Sequence, residues 1–334
     1  MSWIDSLERA RQELASCRWD NCHGLLEQAL EEVQETAQRA VVLNNLGMLF
    51  RKIADLDQAE ACFEQALECQ PEAGLAGRIR ANWAVLQHRR GHFRAARKLY
   101  QEALVLCSEP SEDELAVARI CLNFSWLHLQ QGRKAQAETM IKRARGIVQS
   151  LPEQEVLQSR LHLGLGRCAL EQGRLTKAEV ELLQAIRVAQ RMRQFDPIIH
   201  SQARALLAQI YSRQAVEQLA QKHTEQDGQK RCNQAEMLFV ESLMMLDDWG
   251  QKLTLEYAEN LSLQVDHWIR LQDWERAEIW LQKLLLLAGE MKSLDAQMKA
   301  SAWERASKVL HQLHKHELAA QALVEFQTLS KVKR

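Results

Sequence analysis

One spacing recurs four times in this chain and restricts its fold more than any other feature. An alanine is followed four residues later by a large apolar residue and three after that by a second alanine. The triplets are Ala59-Phe63-Ala66, Ala96-Tyr100-Ala103, Ala137-Ile141-Ala144 and Ala178-Leu182-Ala185. Spacing of i, i+4, i+7 places each triplet on one face of a helix. The alanines admit a neighbouring helix at close range, and the large residue fills the space between them. Each triplet closes a longer unit, as in LNNLGMLFRKIADLDQAEACFEQAL at 43–67 or CLNFSWLHLQQGRKAQAETMIKRAR at 121–145. Such a unit reads as an apolar helix, a turn, and the triplet helix. A helical pair of this kind buries its stripe only by stacking on its neighbours, so repetition predicts an array.

The second unit adds Leu43, Leu46, Gly47 and Phe50 ahead of Ala59, Phe63 and Ala66, with Pro71 after them. That arrangement resembles the tetratricopeptide repeat, whose pattern is W-x2-L-G-x2-Y…A-x3-F. The resemblance implies an all-α fold, a right-handed superhelical solenoid of about eight helix-turn-helix repeats. Repeat starts fall near residues 3, 40, 77, 118, 159, 201, 258 and 301; the sixth and eighth rest mostly on periodicity. The first has a degraded leading helix but ends well, with Trp19, Leu26 and Ala29. Residues 1–200 read as a regular array of about five repeats. Residues 201–334 read as divergent repeats with an insertion near 214–233, where SRQAVEQLAQKH could extend the leading helix and TEQDGQK is expected to form a solvated loop or, alternatively, a functional lid. The period is about 37 and then about 41 residues, against the usual 34. Repeats of this length carrying LNNLG are similar to those of kinesin light chains.

Four prolines and thirteen glycines in 334 residues suit helices throughout. The opening MSWIDSLERARQELA lacks the basic start and apolar run of a secretory signal, and the apolar run LLLLA at 284–288 is too short to span a bilayer. A cytoplasmic location is expected. Eight cysteines show no C-x-x-C pair and no zinc spacing, and read as reduced packing residues.

In this repeat class the leading helices line a concave groove, and repeat positions 2, 6 and 9 fall near it. Position 6 holds Asn45, Asn82 and Asn123 in successive repeats; position 2 holds Arg78, Arg119 and Arg160. Arg78 with Asn82, and Arg119 with Asn123, are i, i+4 pairs. An asparagine amide can donate to and accept from a peptide unit, and arginine can grip a carboxylate with two bonds. These six residues are the candidate peptide-binding set. The row breaks at Gly164. The competing reading is local: Asn caps or bonds between repeats, and arginines that bridge to acidic neighbours. Asn44, one residue around the helix, is expected to be a repeat contact at most.

Charge is uneven. Residues 1–75 carry 6 basic and 14 acidic groups, residues 76–215 carry 22 and 12, and the remainder 15 and 18. A positive middle favours an acidic ligand, although Arg89, Arg90, Arg94, Arg97 and Lys98 could equally form a solvated convex face. Nucleic-acid motifs with interleaved stacking aromatics are absent.

In the C-terminal third, MLFVESLMML and IWLQKLLLLAG are apolar nearly all round, which predicts burial on several sides or a partner, including self-association. His311, His314 and His316 lack a completing carboxylate or cysteine, so no metal is expected. The final KVKR reads as a frayed basic tail. No phosphate loop, nucleophile elbow or dinucleotide fingerprint occurs; GLG at 164–166 lies inside a repeat helix. No enzyme activity and no cofactor are expected. The leading reading is an interaction scaffold or adaptor for an extended acidic peptide or protein segment. A peptide-responsive regulatory receptor is the alternative, as is a chaperone or obligate subunit using the apolar C-terminal third.

Overall fold

A computed structural model describes the chain except residues 1, 17, 54, 109–113, 152, 193–195, 222–223, 251–253, 292–295 and 332–334. Sixteen helices and no strand occur among the described residues. They are α1 (Trp3–Ala15), α2 (Trp19–Glu32), α3 (Thr36–Lys52), α4 (Leu56–Glu68), α5 (Ala73–Arg89), α6 (Phe93–Cys107), α7 (Glu114–Gln130) and α8 (Lys134–Ser150). There follow α9 (Glu155–Glu171), α10 (Leu175–Arg191), α11 (Pro197–Leu219), α12 (Glu225–Asp248), α13 (Leu255–Arg270), α14 (Trp274–Glu290), α15 (Ala296–Gln312) and α16 (His316–Lys331). The chain divides into two compact units. Unit 1 is Met1–Arg174 with Arg187–Asp196; unit 2 is Leu175–Ile186 with Pro197–Arg334.

In unit 1, consecutive helices pair as α1/α2, α3/α4, α5/α6 and α7/α8, and each pair packs on the next. The leading helices α3, α5, α7 and α9 also touch in sequence, so their shared face runs through the stack. The triplets do what their spacing predicts: Ala59, Phe63, Ala66, Ala96, Tyr100, Ala103, Ala137 and Ala144 are fully buried, and Ile141 nearly so. Gly47 is needed for close approach, because a Cβ there would lie 2.6 Å from the Phe63 ring. From the second repeat onward each leading helix begins three to five residues ahead of the repeat start read from sequence. That extra turn, giving helices of 17 residues in α3, α5, α7 and α9, accounts for the long period.

The turns inside most hairpins share one closure. The amide two residues past the leading helix's last turn donates back five residues, as Arg133 N to His128 O (2.8 Å) and Arg174 N to Ala169 O (2.9 Å). This Schellman-like closure requires a left-handed residue just before it. Gly91, Gly132 and Gly173 supply it, at φ 74°, 69° and 72°. Aspartates cap some trailing helices: Asp55 Oδ1 accepts from Gln58 N at 3.2 Å.

In unit 2, α11/α12, α13/α14 and α15/α16 pair, and α11, α13 and α15 touch in sequence. The first part of the insertion continues the leading helix, and only its TEQDGQK segment departs from the loop expected. The inserted residues lengthen both helices of one hairpin, to 23 in α11 and 24 in α12. Residues 225–230 of TEQDGQK are helical; 222–223 lie outside the described residues. Gly228 permits the extension, since a Cβ there would stand 2.9 Å from Leu219 N. The apolar stretches of α12 and α14 bury one stripe and expose a second. Met237, Met244, Ile279 and Leu286 are all more than half exposed, while Phe239, Leu246, Leu281 and Leu284 are buried. Trp268 is buried, and Trp274, Trp280 and Trp303 pack partly buried against the same core. Of the terminal KVKR, only Lys331 is described, at the end of α16.

No helix among the described residues is long and apolar enough to cross a membrane. The seven described cysteines are free, and burial pushes the thiols of Cys22, Cys62, Cys121 and Cys168 up to about 11. These four sit as small buried packing groups.

Candidate functional site

The six candidate residues all lie on leading helices of unit 1, and the structure treats them unequally. Asn45 on α3 is buried, and its Nδ2 donates to Val41 O of its own helix at 2.7 Å. Asn82 on α5 is half-buried, and its Nδ2 donates to Asn44 Oδ1 at 2.9 Å. The two amides that meet are therefore Asn44 and Asn82, and Asn44 is the repeat contact. Asn123 on α7 is half-buried and makes no hydrogen bond to a described residue. Arg78 and Arg119 are exposed. Arg160 on α9 is half-buried and pairs with Asp196 at 3.6 Å, with its Nε enclosed and unbonded. Beside this row, the Arg167 guanidinium of α9 lies 4.4 Å over the Trp126 ring of α7, stiffening the same face.

A second row of polar groups went unread in the sequence. The residue after each triplet's first alanine is glutamate in most repeats, and it reaches to the next hairpin. Glu60 Oε1 accepts from Trp83 Nε1 (3.0 Å) and from Gln87 Nε2, while Glu60 Oε2 meets Arg90. Arg90 also bonds Asp57 at 2.6 Å. Glu138 accepts from Gln172 and, at 3.3 Å, from Arg174. In unit 2, Glu179 accepts from Tyr211 OH at 3.0 Å and faces Arg231, and Glu278 holds Lys315 at 2.6 Å. The signal was present as a recurring Ala-Glu doublet. It was passed over because a single glutamate on a trailing helix reads as solvated surface.

Two of these carboxylates pair with basic groups of the middle block, Glu60 with Arg90 and Glu138 with Arg174. Arg80 is likewise bonded, to Glu102 at 3.2 Å. Local ion pairing therefore accounts for part of the basic excess.

In unit 2, a line of buried polar groups joins α11, α12 and α13. Ser201 and Ser242 share a hydroxyl hydrogen bond at 2.7 Å, Asn260 Nδ2 donates to Ser242 Oγ, and Gln264 Nε2 donates to Asn260 Oδ1 at 3.5 Å. Farther along α13, His267 is fully buried between Phe239 and Trp268, its Nδ1 unbonded, and burial pushes its pKa down to about 4. The rings of His311 and His314 each lie edge-on to His316, at 5.3 and 5.9 Å. Among the described residues no group of three or more His, Cys, Asp or Glu could hold a metal ion.

A profile of the tetratricopeptide repeat family matches residues 2–72. No curated protein matches the chain. Several solved structures share the fold. A Rap protein complexed with competence and sporulation factor is 12% identical, with a TM-score of 0.65 over 98% of each chain. NprR in complex with its cognate peptide NprX is 12% identical, with a TM-score of 0.63 over 95% of this chain and 87% of its own. Aspartyl phosphate phosphatase F from Bacillus subtilis is 12% identical, with a TM-score of 0.57 over 98% and 94%. Residues 2–72 match the tetratricopeptide repeat family, and the helical hairpins of the chain share the fold of these structures.

Proposed function

We infer that this tetratricopeptide-repeat protein is a non-catalytic scaffold that binds an extended acidic peptide or protein segment on the leading-helix face of unit 1. The observation that carries the reading is Asn123, a half-buried amide with no partner among the described residues, one helical turn from the exposed Arg119. An amide held half-dry beside a guanidinium suits a backbone unit next to an acidic side chain. Arg78 with Asn82 repeats the pair one helix earlier, though the Asn82 donor is committed to Asn44 and leaves its carbonyl for a ligand. Asn45 contributes less, because its donor bonds Val41. Arg160 sits at the far end, tempered by Asp196.

The test uses fluorescein-labelled hexaglutamate. Asn123→Ala, with Asn82→Ala as its neighbour, is expected to weaken binding about tenfold, the order of one or two lost hydrogen bonds, with helix content unchanged by circular dichroism. Unchanged affinity overturns the reading.

The neighbours favour a second reading, a peptide-responsive receptor, since Rap and NprR were both solved with the factors named in their complexes. Small-angle scattering that shifts on saturation with hexaglutamate supports it; an unaltered profile leaves the scaffold.

A further inference from the structure

The carboxylate row has one exception. In the third repeat the residue after the first triplet alanine is not glutamate but Arg97. Arg97 on α6 stands where Glu138 stands on α8, 41 residues later, and where Glu60 stands on α4. The residues that hold Glu138 are Gln172 and Arg174. Stepping back by the same 41 residues gives Gln131 and Arg133, at the same turn of the preceding hairpin. The receiving half of the contact is therefore complete at the α6/α7 junction, and the carboxylate is missing from it.

The surroundings agree. Arg97 and Arg133 are both half-buried, and neither makes a side-chain hydrogen bond or ion pair with a described residue. Gln131 Oε1 is enclosed without a partner. His128, on the last turn of α7, is 6% exposed, with Nδ1 buried and unbonded. Its ring stacks on Phe124 at 4.3 Å, and Phe124 stacks on Tyr100 of α6 at 5.2 Å. Burial, then Arg133, then Arg97 hold the His128 pKa below its ordinary value, so both guanidiniums bear on one buried ring. Two cations and unpaired polar groups share a part-dry corner, and among the described residues no carboxylate bonds either guanidinium. Such a cluster costs stability until a negative charge arrives.

We propose that the α6/α7 junction is a carboxylate-binding site, where Arg97 and Arg133 grip an acidic side chain from a protein partner. The partner's carboxylate takes in trans the place that Glu60, Glu138 and Glu179 take within the chain. Guanidinium pairs suit a carboxylate geometrically, and carboxylate is the group that the same positions select elsewhere in this molecule. The site lies at the hairpin turn, on residues distinct from the Asn123 face, and does not depend on it.

The experiment follows the arginine Nε resonances of the full chain by NMR during titration with hexaglutamate and, separately, with inorganic phosphate. Arg97 and Arg133 are expected to shift with hexaglutamate. Arg97→Glu and Arg133→Gln should each weaken that response about tenfold, whereas Asn123→Ala should leave it intact. Arg97→Glu should also raise the thermal midpoint of the ligand-free chain by about 1–3 °C, because Gln131 and Arg133 then gain their carboxylate internally. A response in Arg97→Glu equal to that of the parent, or a midpoint that does not rise, overturns the site. Phosphate binding tenfold tighter than hexaglutamate overturns the carboxylate assignment in favour of a phosphate group. Loss of the response in Asn123→Ala assigns the binding to the leading-helix face instead.

Discussion

Unit 1 and unit 2 stack the same hairpin and share the edge carboxylates, but unit 2 adds a longer run of polar bonds through its interior. In unit 1 the centre of each contact is apolar, an alanine-large-alanine stripe, and the specifying polar bonds sit at the edge. There Glu60 and Glu138 reach across to Gln87, Arg90, Gln172 and Arg174. In unit 2 polar groups run through the interior, from Ser201 and Ser242 to Asn260 and Gln264, with His267 beyond them on α13. Edge bonds tolerate water and salt, and losing one leaves groups that solvent can partly reclaim. Interior bonds fix register more tightly, but each unpaired or newly charged group there bears its full desolvation cost. The hairpin turns differ too: Gly91, Gly132 and Gly173 take the left-handed position in three turns of unit 1, whereas Gln272 (φ 59°) and His314 (φ 58°) take it in two of unit 2.

The largest expected effect is on the buried interior. The His267 pKa falls to about 4 in the fold, from about 6.5 in an unfolded chain. Below pH 6.5 the unfolded state takes up a proton that the folded state refuses. The folded advantage is therefore complete above that pH and declines as pH drops toward 4, by about 3 kcal/mol. Urea unfolding of the parent and of His267→Gln between pH 7 and 4.5 should show a steeper decline in the parent; equal slopes would remove the interior of unit 2 as the pH-sensitive region.

Next comes the edge contact. Glu60→Ala strands Trp83 Nε1 and Gln87 Nε2 and leaves Arg90 with Asp57 alone, and should cost about 2 kcal/mol. Glu60→Gln should recover part of this, since an amide oxygen still accepts. Equal loss in both variants would mean the charge, rather than the acceptor, holds the hairpins together. The smallest effect is at the turn. Gln272→Gly removes the left-handed strain of a side-chain-bearing residue but adds freedom to the unfolded chain. A net gain of a few tenths of a kcal/mol is expected, read as a slight rise in the unit 2 transition. A loss would show that the Gln272 side chain has a role beyond the turn.

The repeated hairpin was legible because its marks are local and redundant. Ala59, Phe63 and Ala66 predict their own burial, and three further triplets repeat the statement. TEQDGQK was misread because it has loop composition; the helix found there packs Gly228 closely on Leu219, nine residues earlier, and composition carries no packing. The asparagine row was legible as a recurrence but not as a set of bonds. Whether Asn82 meets Asn44 or Asn45 depends on how α3 and α5 rotate against each other, and periodicity carries no rotation. The Ala-Glu doublet was visible, yet its meaning needed the facing residues Gln172 and Arg174, which belong to another repeat.

The edge contacts amount to a grammar for joining repeats. A carboxylate at one fixed place must be followed, one repeat on, by a residue able to donate to it. Read so, residues 77–117 break the rule between two repeats that keep it, for they begin by accepting Glu60 properly and end by offering Arg97. Splicing them out would set Glu60 before Gln131 and Arg133, and that junction would parse. Splicing out 118–158 instead would only move the error, placing Arg97 before Gln172 and Arg174. Repeats that look alike in their buried stripes are thus not interchangeable, and a single side chain determines which can be shuffled.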